Sequence, residues 1–575
     1  MADSESSPSA IPPSPVSESS VSLAFSRRKL MAVLTAIGIG GQVFHRALIA
    51  QVVNQSTVTK EMIAAAQWIA DIELNPEEQD DIAKALQPVM EQLTKLRNAA
   101  IDADTVPAIV FRPDHFYSQA TQANKVAQLS QSKDLLVSWS VERGSKRPSE
   151  NELPFASVSQ LASLLATKRI SSHELTQIYL RRLEDLDAQL KCVVTLLPEV
   201  ALAQAKESDQ RRRQGVTVGV LDGIPWVAKD LIAIPPWKTT WGAEPFKEQV
   251  RDNEATVSQK LRASGAVLLA KVSLGALAWG DKWFGGMTRN PWNLDQGSSG
   301  SSAGSASAVA AGLTGFALGS ETLGSIVSPC RRCRCCGLRP TYGRVSRAGC
   351  MPLAWTLDKI GPIARYVEDL AYIFPALLGT DGKDPSLVER SYQWPIQRAW
   401  ADLRIGVAGD LSETEQQVLQ LLQAEGTTII DFDSSMTVSP SELGFVLGVE
   451  AAAVFQSQFR QDRNADYGLW TSTFLHSPFI PAIEYIQANR LRGQLIIEAE
   501  KKFSAVDVVL GGSDLLLTNL TGLPSLVVSC GTQTIDGKQL PGVIKLTASS
   551  YREEMLLHVG HKLQKILPPQ PSIPF

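Results

Sequence analysis

The sequence predicts an α/β fold, with a sheet that is covered by helices on both faces. Short apolar runs bounded by glycine, such as "GIPWVAKDLI" and "GAVLLAKV", are typical of strands buried on both faces. A segment with helical character, "EATVSQKLRASG", lies between these runs, and "LRIGVAGD" followed by "SETEQQVLQLLQAEG" repeats the unit. This alternation of buried strands and helices favours a sheet packed between helical layers.

The composition excludes several classes of protein. The chain has 575 residues, of which 44% are hydrophobic and 20% are charged, as in ordinary globular proteins. Its formal net charge of −4 lacks the basic excess of a nucleic-acid-binding protein, so no nucleic-acid partner is expected. Seven cysteines are too few for a disulfide-built fold, and Cys192 and Cys530 lie in apolar runs that predict buried thiols.

The first 50 residues resemble a leader followed by an export signal. Residues 1–25 are rich in serine and proline, which predicts a disordered leader. In the signal-like segment 26–50, Arg27 and Arg28 precede an apolar run that is too short to span a bilayer. This layout resembles a twin-arginine signal and predicts export to the periplasm, with no stable membrane span. The alternative is an amphipathic helix on a cytoplasmic protein.

Two further parts follow the signal-like segment. Residues 51–150 are predicted to form a helical N-terminal extension, because "EMIAAAQWIADIEL" and "DDIAKALQPVMEQLTKL" have apolar residues at helical spacing. The first of these places Met62, Ala66 and Ile69 on one face. Residues 151–570 are predicted to form the main domain, in which Ser171 and Glu174 have the spacing of a capping box at the start of a helix.

Residues 297–312, "GSSGSSAGSASAVAAG", have the composition of a flexible linker. They continue without a break into small apolar residues, which favours a helix packed closely on its neighbours. A second alternative is a G-x-S-x-G nucleophile elbow with Ser302 as the nucleophile. The preceding "RNPWNLDQGSS" is too polar for the central strand that an elbow needs, and none of the candidate bases His476, His558 and His561 stands out.

Two blocks carry a resemblance to a known family. They are "SGSSAGSA" (299–306) and "GSETLGSI" (319–326), and "GLRPTYGRVSRAGCMPLAWTLDKIGPIAR" follows them. Together they resemble the amidase signature family, whose fold is a large mixed sheet with helices on both faces. Ser301 and Ser325 lie 24 positions apart, as the family's two serines do. The resemblance covers residues 153–385 and resumes over 507–531.

The resemblance implies a Ser–cis-Ser–Lys triad, with no metal and no cofactor. Ser325 would be the nucleophile, Ser301 the relay serine in a cis peptide, and Lys229 the base. The backbone N–H groups of the turn that ends at Ser325 would bind the oxyanion, and Ser302 would support the network by hydrogen bonding. The turn residues concerned are Thr322, Leu323 and Gly324.

The residue types suit that chemistry. A serine hydroxyl is a weak nucleophile until a base takes its proton, and a lysine is such a base only when burial lowers its pKa. Lys229 ends the apolar run "IPWVA", but Lys271 in "LLAKV" has similar surroundings. Only the family resemblance separates the two lysines.

This sequence departs from the family pattern at several positions. Leu323 replaces a common glycine, which is tolerable unless its φ must be positive. Val327 replaces a common arginine, so one tie behind the nucleophile turn is lost. The segment "PCRRCRCCGLRP" (329–340) has four cysteines, the residue type that binds zinc or a soft metal, but no second ligand-bearing segment is evident, so no metal site is predicted. Alternatively, a one-base shift of reading frame from Arg334 would encode Gly-Val, as in the family. The four cysteines are Cys330, Cys333, Cys335 and Cys336.

The predicted function is hydrolysis of a small-molecule carboxylic amide through an acyl-serine intermediate. One alternative is the glutaminase (A) subunit of a tRNA-dependent amidotransferase, which would need a partner subunit in the cytosol. Another is an inactive amidase-like scaffold, disabled by the segment 330–336. Substrate specificity is expected in loops of residues 385–500, and the sequence predicts neither the particular amide nor the oligomeric state.

Overall fold

The computed structural model describes residues 57–70, 72–99, 109, 135–141 and 146–568. The predicted leader 1–25 and the signal-like segment 26–50 lie outside these residues. Among the helices of the described residues, none is long and apolar enough to cross a membrane.

Helices and strands alternate along the main domain. Numbered in chain order over the described residues, the helices are α1 (Lys60–Ala70), α2 (Pro76–Asn98), α3 (Val158–Ala166), α4 (Ser172–Leu190), α5 (Pro198–Arg213), α6 (Thr256–Ala263), α7 (Ala303–Ala310), α8 (Val327–Cys333), α9 (Val367–Leu377), α10 (Glu413–Ala424), α11 (Phe445–Gln461), α12 (Trp470–His476), α13 (Ala482–Phe503), α14 (Leu515–Leu520) and α15 (Glu553–Ile566). The strands are β1 (Leu135–Val137), β2 (Val193–Leu196), β3 (Pro225–Lys229), β4 (Val267–Val272), β5 (Lys282–Trp283), β6 (Gly286–Met287), β7 (Arg289–Asn290), β8 (Asn293–Gly297), β9 (Phe316–Glu321), β10 (Cys336–Arg339), β11 (Lys359–Ala364), β12 (Tyr392–Trp394), β13 (Arg404–Ala408), β14 (Thr428–Asp431), β15 (Val508–Gly511), β16 (Ser525–Ile535) and β17 (Lys538–Thr547).

Eleven strands form one mixed sheet in the order β14–β13–β15–β17–β16–β10–β11–β9–β3–β4–β2. The pairs β3–β4 and β3–β9 are parallel, whereas β9–β11 and β10–β11 are antiparallel. Every residue of β3, β4, β9 and β11 is buried. Because successive side chains of a strand point to opposite faces, the sheet must be covered on both. The predicted α/β fold with a large mixed sheet is confirmed.

The local signals of the main domain act as expected. The Ser171 hydroxyl accepts a hydrogen bond from the Glu174 N–H at 3.0 Å and so begins α4. Leu175, Tyr179 and Leu183 of that helix are buried. Cys192 and Cys530 are buried free thiols, as predicted.

The helices α1 and α2 form a pair that packs against the main domain. We call them the N-terminal helix pair. A reciprocal capping box between Asn75 and Glu78 begins α2. The predicted inner face of α1 is wrong, because Ile69 is 52% exposed while Ile63 and Ala70, one heptad apart, are buried. The predicted helical extension 51–150 also contains a short strand, β1, which pairs in parallel with β12.

Residues 385–500 are more regular than the sequence indicates. They were expected to supply specificity through loops, but α11, α12 and α13 occupy much of the segment. Aromatic side chains of α11, of α12 and of the loop between them stabilise this part, since Phe455, Phe459, Tyr467 and Phe474 pack together in one buried cluster.

Candidate active site

Lys229 is the last residue of β3, and its side chain is completely buried. Its ammonium nitrogen Nζ lies 2.8 Å from Ser301 Oγ, 3.0 Å from Ser302 Oγ and 2.8 Å from Ser320 Oγ. Three hydroxyl groups therefore surround one buried amine at the end of β3.

The surroundings of Lys229 favour its neutral form. Burial lowers its pKa well below the usual value, and the negative charges of Glu321 and Asp358 oppose that shift only in part. No carboxylate of the described residues forms an ion pair with Lys229. A neutral amine in this position can accept a proton from a neighbouring hydroxyl.

Lys271 is the other buried lysine that the sequence could not distinguish. It lies on β4, where it forms an ion pair of 2.7 Å with the buried Asp230. Its Nζ also donates to the Lys238 carbonyl and to the Thr239 hydroxyl, both at 2.6 Å. Burial lowers its pKa, but the adjacent Asp230 carboxylate opposes this. Lys271 reaches neither Ser301 nor Ser325 in these contacts.

The Gly300–Ser301 peptide bond is cis. Gly300 packs so closely that a Cβ atom there would lie 1.8 Å from the Gly280 carbonyl oxygen, so only glycine fits. The next residue, Ser302, precedes α7 and donates its backbone N–H to the Ser325 carbonyl at 3.0 Å. This hydrogen bond joins the two serine-bearing segments.

Ser325 lies in the turn between β9, which is inside the central sheet, and α8. Its side chain is nearly buried at 7% exposure and borders a cavity of about 730 Å³. A strand–turn–helix connection is the setting that presents a nucleophile at the edge of a sheet. The sequence alternative gave that setting to Ser302, which instead follows the small β7–β8 hairpin and is fully buried.

The linker alternative for residues 297–312 is wrong, because residues 301–312 are buried and include α7. The nucleophile-elbow alternative needs a histidine base, but none of its three candidate histidines is hydrogen-bonded to Ser302 or Ser325. His558 contacts the Arg398 carbonyl, and His561 packs edge-on against Trp394. His476 borders the same cavity as Ser325, and burial lowers its pKa.

The turn before Ser325 presents backbone donors to the cavity. Thr322, Leu323 and Ser325 all line it. Among the described residues, the N–H groups of the predicted donors Thr322, Leu323 and Gly324, and that of Ser325, have no hydrogen-bond acceptor. The positive φ of the turn, +79°, falls on Gly324 and not on Leu323, so the leucine that replaces a common glycine causes no backbone strain.

Glu321 holds this turn from behind, and sequence reasoning missed it. Its buried carboxylate accepts hydrogen bonds from the N–H groups of Ile326 (2.8 Å) and Val327 (2.9 Å). It also pairs with Arg339 at 2.7 Å and accepts from the Asn519 amide at 2.9 Å. Burial opposes its ionisation, but Arg339 and the hydrogen bonds outweigh this and lower its pKa to about 2. The hydrogen bonds of Glu321 therefore hold the turn in place without the arginine that Val327 replaces.

Ser320 and Asp358 are two further residues that sequence reasoning missed. Ser320 is bonded to Lys229, and Asp358 accepts a hydrogen bond of 2.6 Å from the Thr322 hydroxyl. Side chains alternate between the two faces of a strand, so Ser320 lies on the same face of β9 as Leu318. This alternation was the signal in the sequence from which the direction of the Ser320 side chain could have been predicted. Asp358 lies far from the two serine blocks in sequence, so no local pattern pointed to it.

The Cys/Arg-rich segment forms α8 and β10, and its four cysteines are buried. Three of the sulfur atoms contact separate carbonyl groups: Cys333 that of Ser298, Cys335 that of Ala306, and Cys336 that of Arg365. Burial raises the pKa of the Cys330, Cys333 and Cys336 thiols, which disfavours the thiolate that a metal needs. No group of three or more metal-ligating side chains occurs within the described ranges. Arg334 adopts a left-handed φ of 58°, which favours the glycine of the shifted reading frame.

Comparisons with known proteins agree with this architecture. The family model named Amidase matches residues 174–510, more than half of the chain. The A subunit of the glutamyl-tRNA(Gln) amidotransferase of Acinetobacter baylyi is 33% identical over 473 residues, which cover 71% of this chain and 95% of that protein. The corresponding protein of Pseudomonas aeruginosa is 31% identical over 472 residues, with 71% and 96% covered.

A solved structure has the same fold. The native peptide amidase of Stenotrophomonas maltophilia superposes with a TM-score of 0.64 and 28% identity, over 74% of this chain and all of that one. Since the family model covers more than half of the sequence, and the fold and the relatives agree with it, this chain is a member of the amidase family and an amide-hydrolysing enzyme.

Proposed function

We propose that the protein hydrolyses linear carboxylic amides through an acyl-serine intermediate, with Ser325 as the nucleophile, Ser301 as the relay and Lys229 as the base. The observation that carries the proposal is the contact of 2.8 Å between the fully buried Lys229 amine and the hydroxyl of the cis-linked Ser301. No metal or cofactor takes part in the proposed steps.

In the first half-reaction, Ser325 Oγ attacks the amide carbonyl carbon. Its proton passes to Ser301 Oγ, whose own proton passes to the neutral Lys229 amine. The carbonyl oxygen becomes an oxyanion, which free N–H groups of the turn, from among those of Thr322, Leu323, Gly324 and Ser325, stabilise. The tetrahedral intermediate then loses its amine, which leaves with the proton returned from Lys229 through Ser301.

In the second half-reaction, water attacks the acyl-serine by the same route. Its proton passes through Ser301 to Lys229 and returns to Ser325 as the ester bond breaks. The products are a carboxylic acid and a free serine. Ser302 and Ser320 hold the lysine in place, since both hydroxyls contact its Nζ.

A panel of aliphatic, aromatic and glutamine amides tests this proposal directly. We expect the purified protein to release ammonia or amine from at least one member, and the Ser325→Ala protein to lose that activity by a factor of about 10³ or more. The circular dichroism spectra of the two proteins should agree. Undiminished turnover by a folded Ser325→Ala protein would contradict the assignment.

A second candidate function is favoured by the relatives that belong to glutamyl-tRNA(Gln) amidotransferases. In that case the physiological substrate would be glutamine, and the protein would act with a partner protein. The same panel distinguishes the two functions. The amidase proposal expects hydrolysis of a small amide by the isolated chain, whereas the amidotransferase function expects glutamine hydrolysis that depends on an added partner.

A further inference from the structure

One wall of the cavity beside Ser325 comes from the N-terminal helix pair. Val89 and Gln92 of α2 line the same cavity as Thr322, Leu323 and Ser325. Both residues lie well before residue 174, where the match to the family begins. The aligned 71% of this chain accounts for 95% of the Acinetobacter baylyi relative, so the chain carries additional sequence. We propose that α2 determines substrate specificity by forming one wall of this cavity, and that Val89 limits the bulk of the apolar group that an amide substrate can carry.

The helix pair is anchored firmly enough to act as a wall. Ile82, Leu86, Leu93 and Leu96 of α2 are at most 5% exposed and belong to the same apolar cluster as the main domain. At the start of α2, Glu78 forms an ion pair of 3.0 Å with Arg463. Burial of four leucine or isoleucine side chains is a much larger stabilisation than one half-exposed ion pair. The pair is therefore held mainly by apolar packing.

Gln92 connects α2 to the segment before α11, which also lines the cavity. Its amide Nε2 donates to the Ser441 carbonyl at 2.8 Å. Ser441 lies in the short 3₁₀ turn Pro440–Leu443, directly before α11. Gly444, Phe445 and Leu447 of that junction line the cavity too. The position of α2 therefore also sets the position of the first turn of α11.

The chemistry of the cavity indicates the class of substrate. Its volume of about 730 Å³ is that of a site for a drug-sized molecule, far larger than a simple amide group needs. Large apolar side chains contribute to its lining, among them those of Trp279, Leu353, Phe445, Leu447, Trp470 and Ile480. The charged lining groups are Asp281, which accepts the Ser299 N–H at 2.8 Å, and the exposed Arg332. This arrangement fits an amide with a bulky aromatic or long aliphatic group.

Val89 is the position where a size limit can be tested. It lines the cavity and is 8% exposed, and Leu86 and Leu93, one turn before and one turn after it on α2, are buried. A phenylalanine there would occupy cavity volume next to the apolar group of the substrate. A hydrophobic pocket discriminates by roughly 10-fold or more for a change of one methylene group, so an added ring should exceed that.

The inference rests on the proposed function for its reacting atoms, so the experiment separates the two. Propionamide and 4-phenylbutyramide have the same primary amide and differ in apolar bulk. We expect Val89→Phe in the full chain to lower kcat/KM for 4-phenylbutyramide by at least 10-fold, through KM, with less than a 2-fold change for propionamide. Lys95→Phe adds the same ring at an exposed position of α2 and should change neither value.

A binding measurement gives the same comparison without turnover. Calorimetric titration of the Ser325→Ala protein with 4-phenylbutyramide should show binding that the added Val89→Phe change weakens by at least 10-fold. If Val89→Phe does not fold, Val89→Ala should weaken binding of that ligand less than 3-fold while admitting a bulkier biphenyl amide more tightly than the parent does. Equal effects on both amides, absence of binding by the parent, or an unchanged preference in Val89→Ala would overturn the proposal. A wrong nucleophile would alter turnover but not this binding comparison.

Discussion

At the scale of single residues, the main contrast is between Lys229 and Lys271. The two lysines lie on paired parallel strands, where Lys271 is opposite Ala228, the neighbour of Lys229. Both are buried, yet Lys271 has a carboxylate at 2.7 Å and Lys229 has only hydroxyl and carbonyl partners. A charge is stable beside Asp230 but not among neutral groups, so only Lys229 is suited to act as a base near neutral pH.

This contrast predicts different pH behaviour for two matched variants. Because the pKa of Lys229 is lowered and its neutral form is the active one, activity should rise with pH as the lysine loses its proton. That limb should appear well below the reference lysine value of about 10.4. Lys229→Ala should lower kcat by a factor of about 10²–10⁴, as expected for the loss of a general base. Lys271→Ala should lower kcat much less.

The two variants are assayed together on one amide at several pH values. Thermal melting should be followed in parallel, because Lys271→Ala leaves the buried Asp230 without its partner and should destabilise the fold. Near-normal turnover by Lys229→Ala, combined with inactive but folded Lys271→Ala, would show that the base has been misassigned.

Residues inside a recognisable block could be found from the sequence, whereas residues that act from another part of the chain could not. Ser301 and Ser325 are predicted from two blocks that resemble the amidase signature family, and Lys229 is separated from Lys271 by that resemblance alone. Asp358 binds Thr322 across 36 positions of sequence, and Asn519 binds Glu321 across 198. Such contacts depend on the sheet order, which no local pattern encodes.

At the scale of elements, the turn between β9 and α8 is the critical one. Glu321 binds the first two N–H groups on the α8 side of the turn, and Arg339 of β10 balances its charge. The negative carboxylate at the start of a helix also agrees with the direction of the helix dipole. This tie fixes the donors that face the cavity.

Glu321→Gln should therefore impair both stability and turnover. The buried Arg339 would lose its counter-charge, which should lower the free energy of unfolding by about 3 kcal/mol. The looser turn should lower kcat more than it raises KM, because its donors matter most for the oxyanion. Urea unfolding and steady-state kinetics measure the two effects.

The pH dependence of unfolding gives a second test of Glu321. Its pKa is lowered to about 2 in the fold, so its contribution is complete above the unfolded value of about 4.5 and is lost as pH falls towards 2. The Glu321→Gln protein should lack that part of the destabilisation at acid pH.

Glu415→Gln, at a buried glutamate in the first turn of α10, is the control for the kinetic effect of Glu321→Gln and should leave kcat unchanged. An equal loss of kcat in both variants would argue against a specific role for Glu321.

The strands were predicted correctly where an apolar run in the sequence is also buried on both faces in the fold. The runs that form β3 and β4 are apolar on both faces because both faces of the sheet are covered. Helices α11 and α12 were missed as elements because their apolar residues belong partly to the cavity and partly to the aromatic cluster around Phe474. Two different burial surfaces on one helix blur the simple periodicity that a sequence pattern detects.

At the scale of the whole molecule, the N-terminal helix pair and the main domain share one apolar core.

The predicted export signal precedes that pair, in residues 26–50. If Arg27 and Arg28 form a twin-arginine signal, replacing both with lysine should keep the protein in the cytosol of an expressing bacterium. Cell fractionation followed by immunoblotting measures this. Equal distribution of the variant and the parent between cytosol and periplasm would contradict the prediction.

The identity of the nucleophile is the central claim, and covalent labelling tests it most directly. The full chain is treated with a fluorophosphonate probe, digested and mapped by mass spectrometry. Ser325 borders the cavity in a strand–turn–helix connection, whereas Ser302 is fully buried beside Lys229. We expect the label on Ser325, its loss in Ser325→Ala, and residual labelling at Ser325 in Ser302→Ala. A label on Ser302 in the unaltered protein would contradict the assignment and favour the nucleophile elbow at that residue.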